Sequence, residues 1–258
     1  VKNIKHKLIH FIRFIEIYLY EKKYLPKYKI VNAVSQNDNI LLTKYFKPKK
    51  VITVANGIEK IEFLNSRENK DKTIILGYIG SFSHPPNRTA FLYFLNEIAP
   101  LLKQEKIKYR YYLAGQNNTE EIDWILSGVN PDIKQNIVNL GFVPNIKDFF
   151  NKIDILITPI FAGSGSRIKI FEALGFGKKV ISSKVGAEGI NIKTNLISIG
   201  NTPQDYVTEI KNFKHSKIDY ENEKENIRQL TWEYVFKNYL TSNLLTKIPS
   251  SLESSPKL

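Results

Sequence analysis

Gly163-Ser164-Gly165-Ser166-Arg167-Ile168-Lys169-Ile170-Phe171-Glu172-Ala173-Leu174 is the stretch on which the reading of this chain turns. It follows the apolar run Ile155-Leu156-Ile157-Thr158-Pro159, which reads as a strand of a buried parallel sheet. It leads into Ile168, Phe171 and Leu174, apolar residues at helical spacing. A strand, a glycine-serine loop and a helix start, in that order, make an anion site: the glycines let the backbone approach a phosphate, and free N–H groups at the helix N-terminus point at it. Arg167 and Lys169 add two cations, and Glu172 follows one turn into the helix. Phosphate-binding groups beside a carboxylate able to hold sugar hydroxyls point to a nucleotide-sugar site. Outward from this stretch, Val180-Ile181-Ser182-Ser183 reads as the next strand, followed by the loop Gly186-Ala187-Glu188-Gly189-Ile190.

The surrounding sequence alternates strands and helices, the pattern of an α/β domain with a Rossmann-like parallel sheet and helices on both faces. Strands are expected at Ile74–Ile79, Tyr109–Ala114, Ile137–Leu140, Ile155–Thr158, Val180–Ser182 and Leu196–Ile199. Pro85-Pro86-Asn87 introduces a helix carrying Phe91, Phe94, Leu95, Ile98 and Leu102, since proline in a first turn forfeits no helix bond. Another helix is expected at Pro203–Phe213, and a terminal one over Glu225–Leu245. Residues 30–58 read as strand, helix, strand; the polar stretch 59–72 reads as a linker. The Ser- and Pro-rich tail 249–258 carries too few apolar residues to fold.

Between Leu8 and Tyr20 the strongly polar positions are His10, Arg13 and Glu16, three residues apart, which leaves a wide apolar face on a helix. That helix packs within a first domain or, alternatively, lies on a membrane surface with its lysine-rich ends toward the headgroups. The formal net charge of +13 accompanies abundant lysine, isoleucine and asparagine, a compositional bias rather than a nucleic-acid footprint; no nucleic-acid partner is expected. Cysteine is absent, so disulfides and cysteine metal sites are excluded. The four histidines lack metal-ligand spacing, and there is no Asp-x-Asp pair. No uncharged apolar run reaches the ~18 residues of a membrane-spanning helix.

The Gly163–Leu174 stretch resembles the donor-binding signature of the family 4 retaining glycosyltransferases, the glycosyl transferases group 1 with two facing Rossmann-like domains (the GT-B fold). Three further stretches fit in order. Val31–Asp38 resembles the last strand and helix start of the first domain, Val51–Ile58 the strand and Asn-Gly turn entering the linker, and Ile75–Asn87 the first strand and donor loop of the second domain. The resemblance implies 1–58 as a remnant of the acceptor domain, 59–72 as linker, 73–213 as the donor-binding domain and 214–248 as a helix crossing back. Much of the first domain is thus expected to be missing, leaving mainly the donor-binding half.

The resemblance implies a donor site of Gly80, Ser81, Arg88, Gly141, Phe142, Val143, Gly163, Ser164, Gly165, Ser166, Arg167, Lys169 and Glu172, with Glu172 on the ribose hydroxyls and no catalytic residue assigned. Two departures stand out. Many members carry a glutamate where Ser164 stands, and an arginine and a lysine after the first strand, where this chain has Ser81 and Asn87-Arg88. The diphosphate then falls to Arg167 and Lys169. The expected activity is sugar transfer with retention from a UDP- or GDP-sugar to a glycan, lipid or other cell-envelope precursor. No metal or other cofactor is expected, and the location is cytoplasmic with a peripheral membrane contact as an option. The alternatives are a non-catalytic partner subunit of a glycosyltransferase and a sugar-nucleotide epimerase.

Overall fold

The computed structural model describes residues 2–64, 73–116, 119–163, 167–213 and 219–240. They divide into two compact units, one made of the residues up to Ala55 together with those from Phe236, the other of Asn56–Val235. The first unit holds α1 (Lys2–Tyr24), a 3-10 turn at Leu25–Lys27, β1 (Val31–Ala33), α2 (Gln36–Phe46) and β2 (Val51–Thr53). Strands β1 and β2 pair in parallel, with α2 as the crossover. Ser35 caps α2, its hydroxyl accepting from the Asp38 N–H at 3.1 Å, which satisfies one of the free first-turn donors.

In α1, Leu8, Ile9, Phe11, Ile12, Phe14, Ile15, Ile17, Leu19 and Tyr20 are all exposed within the described residues. A helix apolar over most of its circumference is normally buried. Tyr18 is an exception to the exposure, half-buried with its ring 5.5 Å from that of Phe46 on α2. No described helix is long and apolar enough to cross a membrane.

The second unit holds β3 (Ile74–Ile79), α3 (Pro85–Tyr93) running through a wider π turn (Phe94–Ile98) into α4 (Ala99–Gln104), β4 (Tyr109–Ala114), α5 (Thr119–Ser127), α6 (Pro131–Lys134), β5 (Ile137–Asn139), α7 (Ile146–Lys152), β6 (Ile155–Thr158), α8 (Ile168–Gly175), β7 (Lys179–Ser182), β8 (Ile197–Ile199), α9 (Pro203–Phe213), α10 (Tyr220–Arg228) and α11 (Trp232–Val235). The six strands form one all-parallel sheet in the order β5-β4-β3-β6-β7-β8. Every expected strand is present within a residue of its expected bounds.

Both sheet faces are covered, which is why the strands read as continuous apolar runs. Along β3, Ile74, Leu76 and Tyr78 enter a core shared with Phe91 and Phe94 of the α3 region and Tyr206 and Ile210 of α9. Ile75 enters the opposite core, with Phe149 and Phe150 of α7 and Ile170, Phe171 and Leu174 of α8. Gly77 marks a close approach of α7: a Cβ there would meet Ile153 Cγ2 at 2.6 Å.

Two expectations change. Residues 59–64, expected as linker, lie extended along the second unit. The Glu62 N–H donates to Gly175 O at 2.9 Å and the Leu64 N–H to Phe176 O at 3.1 Å. Ile61, Phe63 and Leu64 pack on the core, so the polar residues between them conceal an apolar contact set. The terminal helix expected over Glu225–Leu245 is interrupted: α10 ends at Arg228, and α11 begins at Trp232, continuing as a π turn over Phe236–Leu240. At the break Thr231 bridges Ile58 in parallel. Residues 65–72, 214–218 and 241–258, including the tail, lie outside the described residues.

Candidate donor site

The strand order reverses between β3 and β6. From β3 the chain moves outward through β4 and β5; from β6 it moves the other way through β7 and β8. At such a switch point the loops leaving the carboxyl ends of two neighbouring strands turn to opposite faces and open a crevice, where ligands of open α/β sheets bind. The loop Gly80–His84 leaves β3 for α3, which packs in one core; the loop Pro159–Arg167 leaves β6 for α8, which packs in the other. Gly80, just after β3, and Gly163, between β6 and α8, therefore both follow strands of the switch point.

Lys169, in the first turn of α8, reaches across to β3. Its Nζ donates to Tyr78 Oη at 3.1 Å and Asn87 Oδ1 at 3.0 Å, and stands 4.1 Å from the centre of the Tyr78 ring. Tyr78 Oη donates to Asn87 Oδ1 at 2.7 Å, and Asn87 Nδ2 donates to Ser81 O at 2.7 Å. Gly80 makes room for this cluster: a Cβ there would lie 2.8 Å from both Asn87 Nδ2 and Lys169 Nζ. The amine thus borders the backbone of the first residue beyond β3.

The electrostatics follow from this enclosure. Burial, reinforced by repulsion from Arg167 and opposed by Glu172, lowers the Lys169 amine to about 7. Burial raises the Tyr78 hydroxyl, against the pull of Arg167. Glu172 is half-buried and raised by burial, with Lys169 opposing. Among the described residues no side chain hydrogen-bonds or ion-pairs with the Glu172 carboxylate, and no carboxylate ion-pairs with Lys169.

Arg167 occupies the cap position of α8, and its side chain makes no capping bond. Its guanidinium lies against Gly163: a Cβ on that glycine, whose φ is +114°, would meet Nη2 at 2.9 Å. Ser164, Gly165 and Ser166 lie outside the described residues. Ser81 Oγ is 2.7 Å from Ser83 Oγ. Arg88 turns away to an ion pair with Glu121 of α5 at 2.7 Å, so Asn87 is the member of that pair that meets Lys169.

The loop after β5 is tied to the loop after β4. The Gly141 C=O accepts from the Gly115 N–H at 2.8 Å, and the Gly141 N–H donates to Asn139 Oδ1 at 3.0 Å. Both backbone groups of Gly141 are therefore engaged. Val143 packs on the core, whereas the Phe142 side chain is 66% exposed at the carboxyl edge of the sheet. Glu188 sits in a turn, its N–H donating to Val185 O at 3.3 Å. Sequence reading missed Tyr78 and the role of Asn87; the available signal was a tyrosine ending an apolar strand, with an asparagine in the first turn of the next helix.

A doubly wound parallel sheet with cations and a half-buried carboxylate at its switch point defines an open α/β fold of the kind that binds ligands there. The chain belongs to the glycosyl transferases group 1, whose family model matches residues 73–214. No curated protein matches it in sequence. Among solved structures, it is similar to the apo lipopolysaccharide outer core galactosyltransferase WaaB, at 14% identity and TM-score 0.64, over 84% of this chain and 62% of that one. It is similar to a Rickettsia africae glycosyltransferase at 15% identity and TM-score 0.66, over 86% and 64%. It is also similar to Anabaena HepE in complex with UDP and glucose, at 13% and 0.61, over 90% and 67%. These likenesses establish the fold, that of GT-B glycosyltransferases. The chain spans 62% of the length of WaaB and 44% of that of TarM.

Proposed function

We propose that this chain carries the donor-binding part of a retaining, family 4 glycosyltransferase that uses a UDP- or GDP-sugar. The observation that carries the reading is the pairing of Arg167 and Lys169 at the switch-point crevice, with Glu172 one turn further along α8. In this reading Arg167, Lys169 and the Gly163–Ser166 loop take the diphosphate, Glu172 accepts from the ribose hydroxyls, and Phe142 offers its exposed ring to the base. The Anabaena HepE structures with UDP and with UDP-glucose support a uridine nucleotide as the first donor to try.

The chemistry is electrostatic. As the glycosidic bond to the diphosphate breaks, negative charge grows on the leaving oxygen. Fixed cations and N–H groups around it lower the barrier because they are already oriented. Protein cations thereby do the neutralising that a divalent ion does elsewhere. The acceptor is a glycan, lipid or other cell-envelope precursor, held by residues of the first domain.

Ser164, standing where relatives carry a glutamate, favours a second reading, a non-catalytic partner subunit that binds donor without turning it over. Titration calorimetry with UDP-glucose and GDP-mannose, without added divalent ion, tests the binding. Heat of binding with micromolar-to-millimolar affinity is expected, and neither heat nor a rise in melting temperature at saturating nucleotide sugar would refute the donor site. Release of free UDP from bound UDP-glucose separates the transferase from the partner subunit.

A further inference from the structure

The Lys169 amine is enclosed in an unusual way for a cation. Its two hydrogen-bond acceptors, Tyr78 Oη and Asn87 Oδ1, are neutral, and the aromatic face beneath it belongs to a fully buried tyrosine. The charged and titratable groups around it are Tyr78 from β3, Arg167 at the start of α8 and Glu172 one turn along that helix. The guanidinium repels a second positive charge, and Glu172 attracts one without touching it. Asn87 is fixed in turn by the Ser81 carbonyl and the Tyr78 hydroxyl. The amine is therefore held firmly in place and kept short of negative charge. An anion entering the crevice beside Gly80 supplies what is missing.

We propose that Tyr78 and Asn87 are positioning residues that cradle the Lys169 amine, and that a donor's diphosphate binds together with one proton taken up from solvent at that amine. The inference rests on the donor reading above and deepens it. No covalent bond changes: the neutral amine lone pair accepts a proton, and the resulting ammonium donates to a diphosphate oxygen. Neutral acceptors suit this role better than a carboxylate would. A carboxylate in the place of the Asn87 amide would hold the ammonium permanently and weaken its demand for the phosphate.

The amine, lowered to about 7 before ligand arrives, is half protonated at that pH and about one-tenth protonated a unit above it. Linkage then fixes the expected readout: uptake of roughly 0.5 proton on binding at pH 7 and roughly 0.9 at pH 8. Affinity should fall by about tenfold per pH unit above 7.5, as long as the bound ammonium stays protonated. The diphosphate of a nucleotide sugar keeps its two charges from pH 6 to 8.5, so the ligand does not contribute to the titration.

Calorimetry of the full chain with UDP-glucose and GDP-mannose, in two buffers of different ionisation enthalpy, counts the protons. The expected result is the uptake just stated, abolished in Lys169→Met and reduced toward zero at pH 8 in Asn87→Asp, which preserves size and keeps the amine charged beforehand. Melting curves verify that each variant folds; a merely structural role for Asn87 would move the melting temperature and leave the proton count alone. Nucleotide-sugar binding with no proton uptake, or equal affinity at pH 6 and 8.5, overturns the proposal while leaving the donor reading intact. Full uptake persisting in folded Asn87→Asp removes the cradle assignment. Binding of neither probe overturns the donor reading and the inference with it.

Discussion

Replacing Glu172 by glutamine should move binding and stability in opposite directions. The carboxylate is half-buried and, among the described residues, has no hydrogen-bond partner. Burial raises its pKa above the ordinary carboxylate value. A carboxyl group whose folded value exceeds its unfolded one stabilises the fold below the unfolded value of about 4.5 and loses that contribution as pH rises through the folded value. At neutral pH the ionised group is therefore a cost to folding, only partly offset by attraction to Lys169. Glutamine keeps the shape and removes the charge. The melting temperature at pH 7 should stay level or rise by up to a few degrees.

Ligand binding should respond the other way. A charged hydrogen bond to ribose hydroxyls is worth about 1.5–3 kcal/mol, which corresponds to roughly tenfold to a hundredfold in dissociation constant. Calorimetry with UDP and with pyrophosphate separates the two parts of the ligand: UDP should weaken by that factor, while pyrophosphate, having no ribose, should not. Equal losses for both ligands would take Glu172 out of the ribose role. A fall in melting temperature with unchanged UDP affinity would make it a structural residue.

Two further outcomes follow from the packing. In Gly80→Ala the added methyl occupies space 2.8 Å from Lys169 Nζ and Asn87 Nδ2; both side chains must swing out, and UDP-glucose affinity should fall by about tenfold or more, an effect near 1.4 kcal/mol, read by calorimetry. Glu223 is buried in α10 and accepts from the Asn195 N–H and Asn195 Nδ2, each at 2.9 Å, and from Thr194 Oγ1. Glu223→Ala removes the acceptor those part-buried donors share and leaves a gap where the buried carboxylate stood, and should cost about 1–2 kcal/mol by urea denaturation, whereas a loss below about 0.3 kcal/mol would show that solvent replaces the carboxylate without penalty.

The sheet was legible because its central strands are buried on both faces and must be apolar; Ile74–Ile79 and Ile155–Thr158 admit little else. The glycine-serine loop drew attention as an anion site because a close approach of backbone to phosphate favours glycine. What escaped was whatever depends on distance in space. Tyr78 and Lys169 are 91 residues apart, and only the pairing of β3 with β6 brings them together. The reach of Arg88 toward Glu121 had no sequence cue, so its place beside the position where relatives carry a lysine suggested a phosphate contact. Residues 59–64 read as linker because Glu59, Lys60 and Glu62 dominate the composition, although Ile61 and Phe63 alternate with them as an extended, half-buried segment does. The break at Thr231 was hidden because Trp232, Val235 and Phe236 keep helical spacing on the far side of it.

Ile58 is hydrogen-bonded on both sides to the segment that leaves the second unit: its N–H donates to Leu230 O at 2.8 Å, and its C=O accepts from the Trp232 N–H at 2.9 Å. The indole of Trp232 also closes over Gly57, where a Cβ would come within 2.8 Å of the ring. The polypeptide consequently enters and departs this unit at one clasp. Tension applied along the chain from outside would load those two hydrogen bonds in shear before it reached the sheet. The same closure makes the unit suited to circular permutation, since its natural ends already touch and a short peptide can join them.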